Sequence, residues 1–148
     1  MIICDYLPSY VAAGCGATVS MILWLLGGID ISIIWLFVFT VIDYATGTLY
    51  ALKSHQWSSN VGSKGIIKKI LIYVIIIVAN GIDQAAGISY IRQAVIIAYI
   101  INEAGSIIEN IELLGYGSII PAVLRNGIKV ISAKNNSITD EVSDKSHE

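Results

Sequence analysis

Residues 31–52 read ISIIWLFVFTVIDYATGTLYAL and contain a single charged side chain, that of Asp43. An α-helix needs about 20 predominantly apolar residues to cross about 30 Å of hydrocarbon, so this stretch predicts a transmembrane helix. An ionised carboxylate in such a helix is costly, at about 2.5–3.5 kcal/mol at the bilayer centre on insertion scales. Asp43 is therefore the first candidate for a functional residue.

Three further apolar stretches accompany this helix. We predict membrane spans at Tyr10–Leu26, Ile31–Leu52, Ile70–Ile82 and Ile91–Leu114. The third stretch is short for a full span unless the lysines before it snorkel or it continues towards Ile88. The sequence thus predicts an all-α integral membrane bundle with four transmembrane helices, or three as the alternative. We expect one membrane domain over residues 1–132 and a polar, disordered tail over residues 133–148.

The composition excludes several classes of protein. The chain is 55% apolar and 14% charged, whereas a soluble domain carries roughly 25% charged residues. This argues against a soluble enzyme, a disordered chain and a collagen-like chain. Nine Lys and Arg residues and a net charge of −2 provide no basic surface for nucleic acid. Metalloprotease, P-loop and serine-hydrolase motifs are missing from the sequence, so we expect no enzymatic activity, cofactor or metal.

The basic residues predict the orientation of the chain. Lys53, Lys64, Lys68 and Lys69 all lie between the second and third apolar stretches. The positive-inside rule places this connection in the cytoplasm, and with four spans both termini are then cytoplasmic. Lys68 and Lys69 are predicted to act as membrane-interface anchors by snorkelling.

Asp43 shares one helix face with two small residues. Gly47 and Ala51 follow it at intervals of four residues, and small residues at this spacing let a second helix approach closely. Asp43 either pairs within its own subunit and fixes helix packing, or it serves subunit assembly or lines an aqueous hole. Sequence spacing shows no second buried acid or base beside it, which disfavours a proton relay.

The fourth stretch has a polar face. Asn102, Ser106 and Glu109 lie on one side of the predicted helix, with Asn110 and Glu103 at the edge of that face. Such a face belongs against protein or water. The helix either lies at the membrane interface with this side solvated, or forms a wall of a water-filled opening between several copies.

Two ordered groups of residues make a recognisable pattern between the apolar stretches. The first group is Asp43-Tyr44-Ala45-Thr46-Gly47, Ala51, Ser58-Ser59 and Gly65-Ile66-Ile67-Lys68-Lys69. The second is Glu103, Ser106, Glu109-Asn110, Leu114-Gly115 and Pro121. In this order, over about residues 43–124, they resemble the toxin-secretion/phage-lysis holin family. The GYGSII link at residues 115–120 is longer than the family pattern.

The resemblance implies a small phage or prophage protein of the bacterial cytoplasmic membrane. Such proteins accumulate in lipid as homo-oligomers and then open a lesion. An endolysin, or in some relatives a toxin, leaves through that lesion without necessary direct contact. The alternative from the residues is a small membrane scaffold or anchor that recruits a soluble partner through the Lys53–Lys69 loop or the C-terminal tail.

Overall fold

The computed structural model describes residues 9–55, 58–128 and 130–131. Its main helices are α1 (Ser9–Leu25), α2 (Ile31–Lys53), α3 (Ser59–Ala86) and α4 (Ile91–Ile111). A π-helical turn (Glu112–Tyr116) and a 3-10 turn (Gly117–Ile119) follow α4, and residues 122–128 form a further helix, α5. Within the described ranges no residue lies in a β-strand. The prediction of an all-α membrane bundle is confirmed.

Three of these helical segments are long and apolar enough to cross a membrane. They are Ile31–Lys53, Gly62–Ala86 and Ile91–Ile119. The shorter helix α1 is apolar over Gly14–Leu25, and its 17 residues extend about 25 Å. The single domain over residues 1–132 stays a prediction, and the predicted tail from residue 133 lies outside the described residues.

Helix α3 begins earlier than the apolar pattern suggests. The polar stretch Lys53–Lys69 reads as a connection, yet it is helical from Ser59 onward. Since α2 ends at Lys53 and α3 begins at Ser59, Lys64, Lys68 and Lys69 belong to the helix. Long lysine side chains can lie along a helix while their ammonium groups reach a polar partner, which allows α3 to extend through this stretch.

The apolar core lies between α2, α3 and α4. Leu36, Ile76 and Ile96 are fully buried, with Ile33 and Ile72 packed around them. Close van der Waals packing of this kind holds helices together in lipid, where hydrophobic burial provides little drive. The apolar side chains on the outer surface remain exposed and are suited to contact with lipid tails.

Two tight turns, residues 26–30 and 87–90, meet at one end of the bundle, here called the turn end. Arg92 of α4 donates hydrogen bonds to the carbonyl oxygens of Leu26 at 2.6 Å and Gly28 at 3.2 Å. Its Nη1 also lies 2.5 Å from Oδ2 of Asp30. We call these contacts the Arg92 clasp. They fasten the α1–α2 turn to the start of α4.

Helix α3 joins the same end through two polar side chains. Asn80 Nδ2 donates to the carbonyl oxygen of Leu25 at 2.9 Å. The two carboxylate oxygens of Asp83 accept from the backbone N–H groups of Ile91 and Arg92, at 3.0 and 2.9 Å. Asp83 thereby satisfies two donors that the first turn of a helix otherwise leaves unpaired. These contacts connect α3 to both neighbouring turns.

Asp30 makes the clasp sensitive to acid. Partial burial alone would raise its pKa, but the hydrogen bond and charge of Arg92 and the N–H groups of Ile33 and Ser32 lower the pKa below its ordinary 3.8. The stabilisation is therefore complete above 3.8 and is lost as pH falls through the lower folded-state pKa. We expect unfolding in detergent, followed by circular dichroism, to become easier below about pH 4. Asp30→Asn should weaken that pH dependence. If the variant keeps the pH profile of the parent protein, Asp30 is not the group that makes the clasp sensitive to acid.

The opposite end of the bundle, here called the basic end, contains residues 53–55, 58 and 112–120. Lys53 Nζ donates to the carbonyl oxygen of Leu114 at 2.5 Å and lies 5.9 Å from the Tyr116 ring centroid. Gly115 has φ +93, a left-handed conformation that suits glycine and breaks the course of α4. Lys53 therefore joins the end of α2 to the kink that follows α4.

Helix α5 folds back along α4. Arg125 Nε lies 2.7 Å from Oε1 of Glu112, and Arg125 also donates to the carbonyl oxygen of Gly117 at 2.5 Å. Further along α5, a Cβ built at Gly105 would lie 3.3 Å from Cγ2 of Ile128. A glycine at position 105 thus gives α5 room against α4.

Candidate functional site

Three charged side chains meet between α2, α3 and α4. Lys69 Nζ lies 2.5 Å from Oδ2 of Asp43 and also donates to Oε2 of Glu103. The side chains of Lys69, Asp43 and Glu103 are 17%, 10% and 2% exposed. We call this arrangement the Lys69 triad. It joins one side chain from each of the three helices.

Asn110 extends the triad along the α2–α4 interface. Its Nδ2 donates to Oδ1 of Asp43 at 3.0 Å and lies 3.2 Å from Oγ1 of Thr46. A Cβ at Gly47 would lie 3.4 Å from the same Asn110 nitrogen. The glycine therefore lets the amide approach the α2 backbone, and α2 and α4 are held together by polar contacts at this level.

The depth of the triad makes its charges costly. Asp43 and Glu103 each lie twelve residues after the first residue of their helices, about 18 Å from the turn end at about 1.5 Å per residue. This level falls within a hydrocarbon layer about 30 Å thick. Breaking a buried ion pair by removing one partner costs about 3–5 kcal/mol. Separating the three helices would therefore leave these charged groups without partners at a depth suited to hydrocarbon.

A cleft of about 560 Å³ opens beside the triad, between α3 and the α2–α4 pair. Glycines make room for it: Gly62 and Gly65 line it from α3, and a Cβ at Gly65 would lie 3.3 Å from the Tyr44 ring. Its walls combine apolar and polar side chains, among them Leu71, Ile72, Ile75, Thr48, Lys68, Asn102 and Ser106. The cleft thus brings polar groups to a depth where lipid cannot satisfy them.

Most of the residues singled out in the sequence meet at this cleft. Six of the seven assembly or pore-lining candidates line it: Asp43, Gly47, Ala51, Asn102, Ser106 and Asn110. Glu109 is exposed and lies outside the cleft lining. The functional roles of these residues stay predictions.

The two expected interface anchors occupy different environments. Lys68 is exposed at the cleft, while the Lys69 ammonium is bound by two carboxylates inside the bundle. Snorkelling to the interface therefore stays a prediction for Lys68. For Lys69, the contacts describe a link between helices.

Sequence spacing missed Lys69 and Glu103 as partners of Asp43. Asp43 and Lys69 are 26 residues apart, and Lys69 and Glu103 are 34 apart, so helical periodicity does not relate them. The sequence did contain one indication that Glu103 lies near the other polar groups of α4. Glu103 and Asn110 are seven residues apart and therefore share a helix face. The structure pairs Asp43 within its own subunit. Within the described ranges, no group of His, Cys, Asp and Glu side chains could hold a metal ion.

Comparison with known proteins identifies the family. The profile of the bacteriophage holin family matches residues 20–133, which include the whole cleft. The chain belongs to the bacteriophage holin family. It is therefore a multi-pass membrane protein of a family that is not a family of enzymes.

Individual relatives cover most of the chain. It is 33% identical over 105 residues to a protein named "Probable holin" of Bacillus phage phi105, covering 70% of this chain and 76% of that protein. It is 36% identical over 128 residues to a 14.9 kDa protein of Clostridium perfringens, covering 85% of this chain and 96% of the relative. A further protein of Clostridium perfringens strain 13 is 40% identical over 115 residues, covering 76% of this chain and 84% of the relative. No solved structure matches the chain.

Proposed function

We propose that this protein is a holin that accumulates as homo-oligomers in the bacterial cytoplasmic membrane and opens a lesion there. An endolysin, or a toxin in its place, leaves through the lesion and the host cell lyses. Membership of the bacteriophage holin family supports this role. The structural observation that carries it is the Lys69 triad with its polar cleft, at a depth suited to hydrocarbon.

A lesion in a bilayer needs polar surface to meet the water that fills it. In the structure, Asp43, Glu103 and Asn110 satisfy one another within a single bundle. A harmless membrane protein needs such internal pairing, since lipid cannot solvate these groups. A second packing, in which several subunits turn these groups towards water, would make a hole. Two packings that differ by a few kcal/mol can serve as such a switch.

The basic end is proposed to face the cytoplasm. Lys53 lies there, Lys64 and Lys68 lie on the half of α3 nearer to it, and the positive-inside rule favours this orientation. If α1 crosses the membrane, both termini are cytoplasmic as well. The scaffold alternative relied on a loop over Lys53–Lys69, but α3 begins at Ser59 and takes up most of that range. A range that is largely helical does not favour recruitment of a soluble partner through a loop.

Inducible expression in a bacterium, with and without a cytoplasmic endolysin, tests the proposal. Abrupt lysis is expected when both proteins are present, because the endolysin then reaches the cell wall. Endolysin alone, expressed at the same level, is the control. Growth that continues unchanged after the membrane-localised protein and the endolysin accumulate together would refute the holin role.

Replacing Asp43 with leucine is expected to change the time of lysis and the size of crosslinked oligomers. The substitution removes one of the two carboxylates bound to Lys69 and the charged acceptor of Asn110, which keeps Thr46 Oγ1 as a partner. A hydrogen bond to a charged group is worth about 1.5–3 kcal/mol. Ile42→Leu, at an exposed apolar neighbour, is the matched control. Unchanged lysis timing together with unchanged crosslinked ladders would remove Asp43 from the mechanism.

A further inference from the structure

Helices α2 and α4 are fastened to each other at three levels. Near the turn end, Gln93 Nε2 donates to Oγ of Ser32 at 2.7 Å. At the level of the triad, Asn110 of α4 binds Asp43 of α2. At the basic end, Lys53 of α2 binds the carbonyl oxygen of Leu114. The α2–α4 pair is therefore held as one unit along its length.

Helix α3 is attached to this unit differently in its two halves. In the half nearer the turn end, Ile76 and Ala79 are buried and Asn80 and Asp83 bind both turns. In the half nearer the basic end, α3 faces the cleft through Gly62 and Gly65. Glycines contribute no side chains of their own, so beside the cleft α3 packs through its backbone at Gly65 against the Tyr44 ring.

The Lys69 triad lies between these two halves and binds α3 to both other helices. We propose that the triad is a lock: while it is closed, it holds the basic half of α3 against the α2–α4 pair. When it opens, that half of α3 swings away about the contacts at the turn end. The hinge is the well-packed half, because its buried aliphatic side chains and the bonds of Asn80 and Asp83 stay in place.

Opening the lock would uncover the polar surface of the α2–α4 pair. Asp43 and Glu103 would lose their ammonium partner, and the half-buried Ser106 and Asn110 would join the already exposed Asn102 on the wall of a wider cleft. On the proposed function, on which this step rests, these are the groups that face water in the lesion. The Lys69 triad thereby regulates when each subunit can contribute to a hole.

Pairs of introduced cysteines can measure the lock directly in membranes, without endolysin. Cys4 and Cys15 are first replaced by serine. Tyr44→Cys with Gly65→Cys reports closure across the cleft, since these positions are in contact. Ser32→Cys with Gln93→Cys reports the α2–α4 pair near the turn end, where the side chains now hydrogen-bond. A short bifunctional thiol reagent and mass spectrometry of the monomer give each crosslinking rate.

Lys69→Met is expected to slow crosslinking between positions 44 and 65 about tenfold, which corresponds to a closed population that falls from nearly all molecules to about one in ten. Crosslinking between positions 32 and 93 should keep its rate. The double variant Asp43→Asn with Glu103→Gln should behave likewise, because it removes both charged partners without deleting the lysine. Lys69→Arg should restore much of the closure, and Lys68→Met, at the exposed neighbour, should change neither rate.

Two results would overturn the lock. One is an unchanged rate between positions 44 and 65 in Lys69→Met. The other is a parallel fall of both crosslinks in Lys69→Met and in the double variant, which would show loss of the whole bundle. Because no endolysin is present, these results are independent of the lysis experiment. A chain that does not release endolysin can still show slower crosslinking between positions 44 and 65 in Lys69→Met. A functional holin can show no such change.

Discussion

Replacing Arg92 with methionine is expected to lower the free energy of unfolding by about 2–4 kcal/mol. The guanidinium binds two backbone carbonyl oxygens and the carboxylate of Asp30, and a hydrogen bond to a charged group is worth about 1.5–3 kcal/mol. The total is less than a simple sum because the Asp30 side chain is 40% exposed, so solvent screens the ion pair. Thermal unfolding in detergent, followed by circular dichroism, measures the change.

Arg92→Lys separates charge from geometry. A lysine keeps the positive charge but has a single ammonium in place of the planar guanidinium that reaches three partners. We therefore expect Arg92→Lys to lower the free energy of unfolding by less than Arg92→Met. Lys64→Met removes an exposed charge from α3 and should leave the unfolding transition in place. If Arg92→Met unfolds at the same temperature as the parent protein, the Arg92 clasp does not hold the turn end together.

Gly27→Ala is expected to destabilise the same end by about 2–3 kcal/mol. Gly27 has φ +81, and an L-residue in the left-handed region costs roughly 1–2 kcal/mol. The added Cβ would also lie 2.5 Å from Oδ1 of Asn80 and 2.8 Å from Nε of Arg92. Both side chains would have to move, although each is engaged with the α1–α2 turn.

Gly28→Ala provides a matched control for this crowding. Gly28 has φ +91, but a Cβ there would meet no atom within 4 Å. Gly28→Ala should therefore be destabilised only by the unfavourable φ of an L-residue. We expect this variant to unfold at a higher temperature than Gly27→Ala. Equal destabilisation of the two variants would mean that contact with Asn80 and Arg92 is unimportant.

Periodicity and hydropathy predicted the parts of this structure that depend on one helix at a time. Asp43, Gly47 and Ala51 were placed on one face by their spacing alone, and all three line the cleft. Helix α3 was harder, because its first residues from Ser59 onward are polar and only tertiary contacts show how Lys69 is accommodated. A rule that assigns lysines to the membrane interface has no means of detecting carboxylates contributed by two other helices.

The contacts of Arg92 have a consequence for how the sequence can vary among relatives. Two of its three partners are backbone carbonyl oxygens, those of Leu26 and Gly28. Every amino acid has such a carbonyl, so the side chain at position 26 can change without removing a partner from Arg92. The carboxylate of Asp30 has no backbone substitute. The contacts of Arg92 therefore require a particular side chain at position 30 and none at position 26.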